Sequence, residues 1–366
     1  KAKIIFTSLI MVCTFLYSCK YKECKNELLS SNLDNALQVK ATSILENKLI
    51  ELNALSGQAI IIEIQTGHIK AMVGLERKDS ANYLPCENFS QAHESALMHP
   101  ISILAALETG KVKLTDMVDV DDGSYSVQDR ELKDHNWHRG GYGELTGQEG
   151  VATSSNIAIY KTMEKAFGNN PQSYFDLLAN MSYGKPDSIT GIANLKPAHI
   201  VTPKDNNWTK TAFVWSSIGY NQHVSPIQIL TFYNAIANNG KMIQPQLYKD
   251  SVVVINPQIA SRASIDSLKK ALVFNVTDGL GQPAKSDKVL VAGMQGTSSL
   301  STNEDSTKDM YAVEFCGYFP ANAPQYSIIV SIHKDGLPAS GGLMAGDVFR
   351  QITEYIFIYN KYFNSK

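Results

Sequence analysis

The chain has 366 residues, of which 44% are apolar and 19% are charged, so it can bury a substantial core and does not have the composition of a disordered protein. This length favours one large domain or two modest ones. Its 33 basic side chains nearly balance 35 acidic ones, so the chain lacks the strongly basic field that nucleic-acid-binding proteins use.

The N-terminal end predicts an export signal rather than part of a fold. Two early lysines precede an apolar run at residues 4–16, which is too short to cross a bilayer comfortably but typical of a signal peptide. Ser18 and Cys19 follow, a pair similar to a lipoprotein cleavage box. We predict a signal peptide at residues 1–18 and lipidation of Cys19. An ordinary signal peptide and an uncleaved anchor are the alternatives.

The next segment, residues 19–56, predicts a polar tether followed by an amphipathic helix. Leucines and isoleucines recur at roughly helical spacing between residues 33 and 52, which gives that helix one apolar face. Two β-branched runs, at residues 58–64 and 69–73, flank a short turn. They predict a β-hairpin.

The middle of the chain predicts helices at residues 100–108, 151–167 and 226–238. Thr153 or Ser154 would cap the second of these helices, because hydroxyl side chains accept hydrogen bonds from free N–H groups at a helix start. A glycine just beyond the third helix is a typical stop signal.

The last third predicts strands at residues 289–292, 312–318 and 327–332, and a C-terminal helix at residues 348–359. Strands therefore occur near both ends of the region that follows the tether. We expect them to pair across one sheet, in a single mixed domain at residues 57–366.

Several segments of that region occur in an order typical of one family. They include the strand-turn-strand at residues 57–72, the triplet Ser154-Ser155-Asn156, and the stretches at residues 216–228, 316–320 and 341–349. Together they resemble the transpeptidase domain of class B penicillin-binding proteins. The resemblance implies an α+β fold of the β-lactamase and transpeptidase type, with a mostly antiparallel sheet and helices on both faces.

The chemistry of that family is carried by three motifs, Ser-x-x-Lys, Ser-x-Asn and Lys-Thr-Gly. A serine at a helix N-terminus is a weak nucleophile until a base takes its proton, and a lysine one turn later lies on the same helix face. The Lys-Thr-Gly strand supplies positive charge and a backbone donor to the oxyanion hole.

In this chain only the second motif is intact. The first aligns as Ala96-Leu97-Met98-His99 and the third as Met294-Gln295-Gly296-Thr297. The resemblance therefore implies that the nucleophile and both lysines are replaced. Since removing the nucleophile of a comparable serine enzyme costs about a million-fold in turnover, we expect no catalytic residue at Ala96, His99, Met294 or Gln295.

A cleft of this kind could still bind a D-alanyl peptide end without cutting it. The polar candidates for such binding are Ser154, Asn156, Gly296 and Thr297. The backbone N–H groups of Ala96 and Thr297 would remain as oxyanion donors, because they do not depend on the replaced side chains. Alternatively the cleft has closed, with Leu97, Met98 and Met294 filling it.

Ser95 offers a second route to catalysis. His99 lies four residues further on, where it would share a helix face with Ser95, and histidine has a pKa suited to a general base. Yet Ser95 stands one residue early, about 100° round a helix from the expected direction. We favour a helix cap for Ser95 and a polar filler role for His99.

Metal and cysteine chemistry receive little support. Asp134, His135 and His138 are close together, but a catalytic zinc site needs three converging ligands, so we expect a polar surface loop with no metal and no cofactor. After export three cysteines remain in no zinc-like spacing. Their disulfide pairing stays open, including a Cys24–Cys86 bond; the three are Cys24, Cys86 and Cys316.

The sequence therefore favours an exported, lipid-anchored pseudoenzyme at the periplasmic or outer face of a bacterial membrane. Its expected partners are peptidoglycan stem peptide or cell-wall synthesis proteins, with β-lactams bound at most non-covalently and the membrane reached through the lipid anchor. Two alternatives remain, an active D,D-transpeptidase or carboxypeptidase that uses Ser95, and a purely structural envelope protein.

Overall fold

The computed structural model describes residues 31–87, 89–128, 130–248, 251–300 and 309–363. The predicted signal peptide, Cys19 and Cys24 lie outside these residues. The helices α1 to α9 are Asn35–Leu52, His99–Glu108, Gly147–Ala152, Asn156–Phe167, Pro171–Asn180, Ala212–Ser217, Pro226–Ala237, Arg262–Asp278 and Asp347–Phe363. Within the described ranges, none of these helices combines the length and apolar character that a membrane crossing requires.

The strands assemble around one antiparallel sheet. The strands β1 to β14 are Ser56–Glu63, Ile69–Arg77, Tyr83–Pro85, Met117–Asp121, Ser124–Val127, Arg130–Lys133, Gly143–Thr146, His199–Ile200, Gln222–His223, Met242–Ile243, Val254–Asn256, Ala292–Ser299, Met310–Phe319 and Tyr326–Asp335. Six of them form the main sheet in the order β12-β13-β14-β1-β2-β3, and the others form two-stranded pairs. Because β1 lies between β14 and β2, strands from both ends of the domain pair, as the sequence predicts.

Both faces of the main sheet are covered by helices. Side chains alternate between the faces along a strand, so Ile60 and Ile62 enter the core that contains α2, α7 and α8, while Ala59 and Ile61 enter the core that contains α1 and α9. A strand buried on both faces reads as a continuous apolar run, which is what β1 shows. The predicted α+β class, with helices on both faces, is confirmed.

Helix α1 is integral to this domain. Asp34 caps it by accepting a hydrogen bond from the Leu37 N–H at 3.0 Å. Further along, Lys48 forms ion pairs with Glu51 at 2.7 Å and with Asp347 at 2.9 Å, and Asp347 is the first residue of α9. The predicted amphipathic helix thus joins α9 in the layer that covers one face of the sheet.

The single helix predicted at residues 151–167 is wrong. The structure has two helices, α3 and α4, and Ser154 between them adopts a left-handed backbone with φ of 51°. The predicted cap is also wrong, because Ser155 caps α4 by accepting from the Ala158 N–H at 3.0 Å. Because the helix is interrupted here, Ser154 lies in the connection between α3 and α4, and Asn156 is the first residue of α4.

The strand predicted at residues 289–292 is also misplaced. Strand β12 begins at Ala292 and continues to Ser299, so the third motif lies along it. β12 pairs only with β13 and is an edge of the main sheet. Its two glycines have low strand propensity, and eight residues of this segment pair in register with β13.

Candidate functional site

The motif residues surround an open cleft of about 890 Å³ beside the edge strand β12. Further walls come from residues 279–283 and 339–343. The sequence-predicted residues that line it are Ala96, His99, Ser154, Asn156, Gln295 and Thr297. The predicted apolar filling is not what the structure has, since Leu97, Met98 and Met294 are buried in the core and leave the cleft open.

The second motif is anchored by a carboxylate that the sequence did not single out for this purpose. Ser155 donates to Asp134 Oδ2 at 2.6 Å, and the Ile157 N–H donates to Asp134 Oδ1 at 3.1 Å. Asp134 is 1% exposed. Burial raises the pKa of this carboxyl, although the two hydrogen bonds oppose that shift. Asp134 thereby fixes the start of α4 and orients the motif.

Asn156 lines the cleft, and the nitrogen of its side-chain amide already makes a hydrogen bond. Its Nδ2 donates to the carbonyl oxygen of Lys133 at 2.9 Å. That bond sets the amide orientation, because a backbone carbonyl only accepts hydrogen bonds. The amide oxygen of Asn156 is therefore the atom that can accept from a ligand N–H.

Ser154 and His99 form a pair across the cleft floor. Their Oγ and Nδ1 atoms are 3.2 Å apart. His99 is 1% exposed, and burial lowers its pKa to about 4. The ring is neutral at pH 7, and the direction of this hydrogen bond depends on which ring nitrogen carries the proton. A base of such low pKa is poorly matched to proton abstraction near neutral pH.

The structure does not bring Ser95 and His99 together. Ser95 donates to Glu314 Oε2 and accepts from the Leu97 N–H at 3.1 Å, so it caps the short 3-10 helix Ala96–Met98. The other carboxylate oxygen of Glu314 lies 3.0 Å from His93 Nε2. Ser95 is 5% exposed and is not among the residues that line the cleft. Its hydroxyl is held in a buried network with Glu314 and His93, and Ser95 does not line the cleft.

The third-motif positions contribute one unpaired donor. Met294 is fully buried in the core. Asn275 Nδ2 donates to the Gly293 carbonyl at 2.8 Å and to Gln295 Oε1 at 2.9 Å, which fixes both amides. Gln295 is 6% exposed, and its Nε2 has no hydrogen-bond partner among the described residues. A buried donor without a partner is uncommon in a folded protein, and this one belongs to a side chain that lines the cleft.

One of the two expected oxyanion donors is already occupied. The Ala96 N–H donates to the Ser298 hydroxyl at 3.1 Å, so the prediction that it stays free is wrong. Thr297 remains at the cleft, with its Oγ1 accepting from the Gly341 N–H at 3.0 Å. Gly296 is needed for close packing, because a Cβ there would lie 3.2 Å from Leu97 N.

The cleft has a positive character that the motifs do not reveal. Among its described lining residues there is no Asp or Glu, whereas the exposed guanidinium of Arg139 lies at its edge. Arg139 forms no side-chain ion pair with the described part of the chain. Burial lowers the pKa of neighbouring His135, and Arg139 adds to that shift. Sequence reasoning missed Arg139, and the only signal was its place before the glycine-rich loop at residues 140–143.

The three residues of the possible metal site, Asp134, His135 and His138, each make other contacts. Both carboxylate oxygens of Asp134 serve α4, His135 Nε2 lies 3.2 Å from the Tyr142 hydroxyl, and His138 packs edge-on against Trp137. The part of the chain that the structure describes has no group of three potential ligands. Among the described residues, Cys86 and Cys316 form no disulfide, and Cys24 lies outside that part of the chain.

The model of the penicillin binding protein transpeptidase domain matches residues 57–354. The chain belongs to this family. It is 26% identical over 336 residues to the probable peptidoglycan D,D-transpeptidase PbpC of Pseudomonas aeruginosa, covering 88% of this chain and 57% of that protein. The chain thus spans little more than half the length of this relative.

Solved structures carry the same fold as this transpeptidase-family chain. A peptidoglycan glycosyltransferase from Burkholderia ambifaria superposes with a TM-score of 0.77 at 21% identity, covering 91% of this chain and 98% of that one. The TP domain of Burkholderia pseudomallei penicillin-binding protein 3 gives 0.76 at 21% identity, covering 91% and 96%. At this identity the likeness establishes the fold alone.

Proposed function

We propose that this protein is a catalytically inactive transpeptidase homologue that binds peptidoglycan stem peptide without cleaving it, and so serves cell-wall assembly as a binding or scaffolding protein. The observation that carries the proposal is the open cleft whose nucleophile position is Ala96 and whose lysine positions are His99 and Met294. An alanine cannot form an acyl-enzyme, and a buried neutral histidine of low pKa is a weak base.

The cleft retains groups that suit a peptide ending in a carboxylate. Arg139 supplies a permanent cation, and guanidinium groups bind carboxylates through paired, charge-assisted hydrogen bonds. Gln295 Nε2 is an unused donor, and the amide oxygen of Asn156 can accept from a peptide N–H. These groups recognise a ligand in its ground state. They provide no covalent chemistry.

A location in the cell envelope is part of the same proposal. The predicted export signal with Cys19 as lipidation site would hold the domain at the outer face of a membrane. The Pseudomonas relative carries the name of a peptidoglycan D,D-transpeptidase, which supports peptidoglycan as the ligand.

Binding is tested by isothermal titration with N-acetyl-Lys-D-Ala-D-Ala, followed by mass analysis of the recovered peptide. We expect saturable binding and intact peptide. The analogue with a C-terminal amide should bind about tenfold more weakly, because it cannot form the charged contact. Arg139→Ala should cause a similar loss, while Arg130→Ala, another exposed arginine outside the cleft, serves as the matched control.

Chemistry is tested separately with fluorescent penicillin and a denaturing gel. We expect no labelled band in the wild-type protein. A band that disappears in Ser95→Ala, or in Ser154→Ala, would instead establish an active acyl-transfer enzyme and identify its nucleophile. If the protein neither binds the peptide in the titration nor is pulled down by purified peptidoglycan, the proposed binding function is wrong. The purely structural alternative would then be favoured.

A further inference from the structure

One rim of the cleft is apolar, and neither the family motifs nor the function proposed above makes use of it. This apolar rim is formed by Leu280, Pro283, Ala339 and Leu343. Leu343 is 67% exposed and Leu280 is 40% exposed. A single exposed leucine is normal on a protein surface, but here two of them line the same cavity.

The two segments that carry the apolar rim pack closely against each other and against β12. A Cβ on Gly342 would lie 2.5 Å from the Leu280 carbonyl oxygen. A Cβ on Gly341 would lie 2.2 Å from the Gly296 carbonyl oxygen. In addition, the Leu280 N–H donates to the Ala152 carbonyl at 2.9 Å. These backbone contacts hold both leucines in place beside the cleft.

The backbone around Leu343 has an uncommon conformation. Residues Gly342–Gly346 form a π-helical turn directly before α9, in which the Gly346 N–H donates to the Gly341 carbonyl at 2.9 Å. Turns of this kind are rare and are frequently found at functional sites. This one leaves Leu343 at the cleft, while the neighbouring Met344 is buried in the core that contains α1 and α9.

The cleft offers more room than a D-alanyl-D-alanine end fills. Its volume is about 890 Å³, whereas the side chains of that peptide end are two methyl groups. Two methyl groups are too small to cover both leucines of the apolar rim. Because hydrophobic stabilisation grows with the apolar area removed from water, a larger apolar side chain against this rim gains affinity that a methyl group does not.

We propose that the apolar rim is a subsite for a large apolar side chain on one of the last two residues of the bound peptide. The preferred ligand is then a peptide with a free carboxylate end and a branched apolar D-residue, rather than D-alanyl-D-alanine. The inference rests on the function proposed for the same cleft and adds which peptide the cleft selects. Leu343 and Leu280 determine this specificity, while Arg139 and Asn156 keep the roles proposed for them.

Calorimetric titration of a small peptide series tests the subsite. The reference is N-acetyl-Lys-D-Ala-D-Ala, and the probes are N-acetyl-Lys-D-Ala-D-Leu and N-acetyl-Lys-D-Leu-D-Ala. Each probe is paired with a counterpart that has D-Asn in place of D-Leu, since asparagine has nearly the shape of leucine but is polar. We expect at least one leucine peptide to bind about tenfold more tightly than the reference, because leucine buries more apolar area than a methyl group does. Its asparagine counterpart should gain nothing.

Two variants locate the subsite without touching the polar groups of the cleft. Leu343→Ser should reduce the gain of the leucine peptide from about tenfold to about threefold or less, and Leu280→Ser should have a smaller effect, because Leu280 offers less exposed surface. Neither variant should change the affinity for the reference peptide. Leu84→Ser replaces an exposed leucine on β3 that does not line the cleft and serves as the matched control. Thermal melting verifies that all three variants are folded.

The outcomes separate this inference from the proposed function. If the reference peptide binds but neither leucine peptide binds more tightly, the subsite is refuted and the proposed function stands. The subsite is also refuted if the asparagine counterpart gains as much as the leucine peptide, or if the gain survives unchanged in both Leu343→Ser and Leu280→Ser. If none of the peptides binds, the proposed function fails and this inference fails with it.

Discussion

The two walls of the cleft differ in how their polar residues are held. The α4 wall, formed by Ser154, Ser155 and Asn156, is tied to Asp134 and to the Lys133 carbonyl by hydrogen bonds that also build the helix start. Ala96, His99 and Gln295 line the opposite wall, which we call the β12 wall, and Met294 is buried next to Gln295 on β12. The family has lysines at the positions of His99 and Met294, and both replacements are buried.

The contrast distinguishes residues that hold the fold together from positions that serve the reaction in the family. On the α4 wall Ser155 caps the helix that Asn156 begins, so replacing Ser155 would disturb the fold. On the β12 wall the family's lysines serve the reaction, and a methionine or a neutral histidine suits a buried site better than a charge does. A chain can therefore lose the second set and keep its architecture.

The largest effect is expected from placing a lysine at a buried position of the β12 wall, which tests whether that wall tolerates a charge. Met294→Lys should lower the free energy of unfolding by about 5 kcal/mol, because Met294 is fully buried and its surroundings are apolar. Urea unfolding followed by circular dichroism measures this. Met294→Leu, which conserves volume, should cost less than about 1.5 kcal/mol. If the lysine were tolerated as well as the leucine, the β12 wall would not be specialised for apolar burial.

The α4 wall should respond to loss of its anchor. Asp134→Ala leaves the Ser155 hydroxyl and the Ile157 N–H without their partner, at a cost of about 4 kcal/mol. The same unfolding assay measures it, with His138→Ala as an exposed neighbour that should stay within about 0.5 kcal/mol of wild type. Equal effects of the two substitutions would show that Asp134 does not hold this wall.

A pH titration of stability addresses His99, which connects the walls through Ser154. The folded pKa of about 4 lies below the ordinary 6.5, so the fold favours the neutral ring. That contribution is fully present above pH 6.5 and is lost as pH falls through 4, by about 3 kcal/mol at pH 4. His333 acts in the same direction. His99→Gln should therefore flatten the slope between pH 6.5 and 4 in part.

Much of the fold is predictable from sequence because the strongest signals are local. The β-branched run of β1 and the apolar helix α7 stand out in the sequence, and their order matches one family. The sequence does not predict the break between α3 and α4, where the Ser155 cap is held by Asp134, 21 residues away. Periodicity cannot register such a contact.

From the sequence, only those cleft residues that occupy positions of the three family motifs could be predicted. The sequence correctly directed attention to Ala96, His99 and Gln295, which line the cleft together. It did not reveal Arg139, which no motif marks, or the free Nε2 of Gln295, which follows from the way Asn275 fixes the facing amide. The orientation of an amide is a property of packing, and no one-dimensional pattern contains it.

The bond from the Ala96 N–H to Ser298 has a consequence for the history of such a chain. A single reversion that returned serine to position 96 would find its backbone N–H still engaged at 3.1 Å, with Met294 still buried behind it. Under the proposed loss of catalysis, serine at position 96 alone would therefore not restore this oxyanion donor, because the Ser298 hydroxyl would still occupy the N–H.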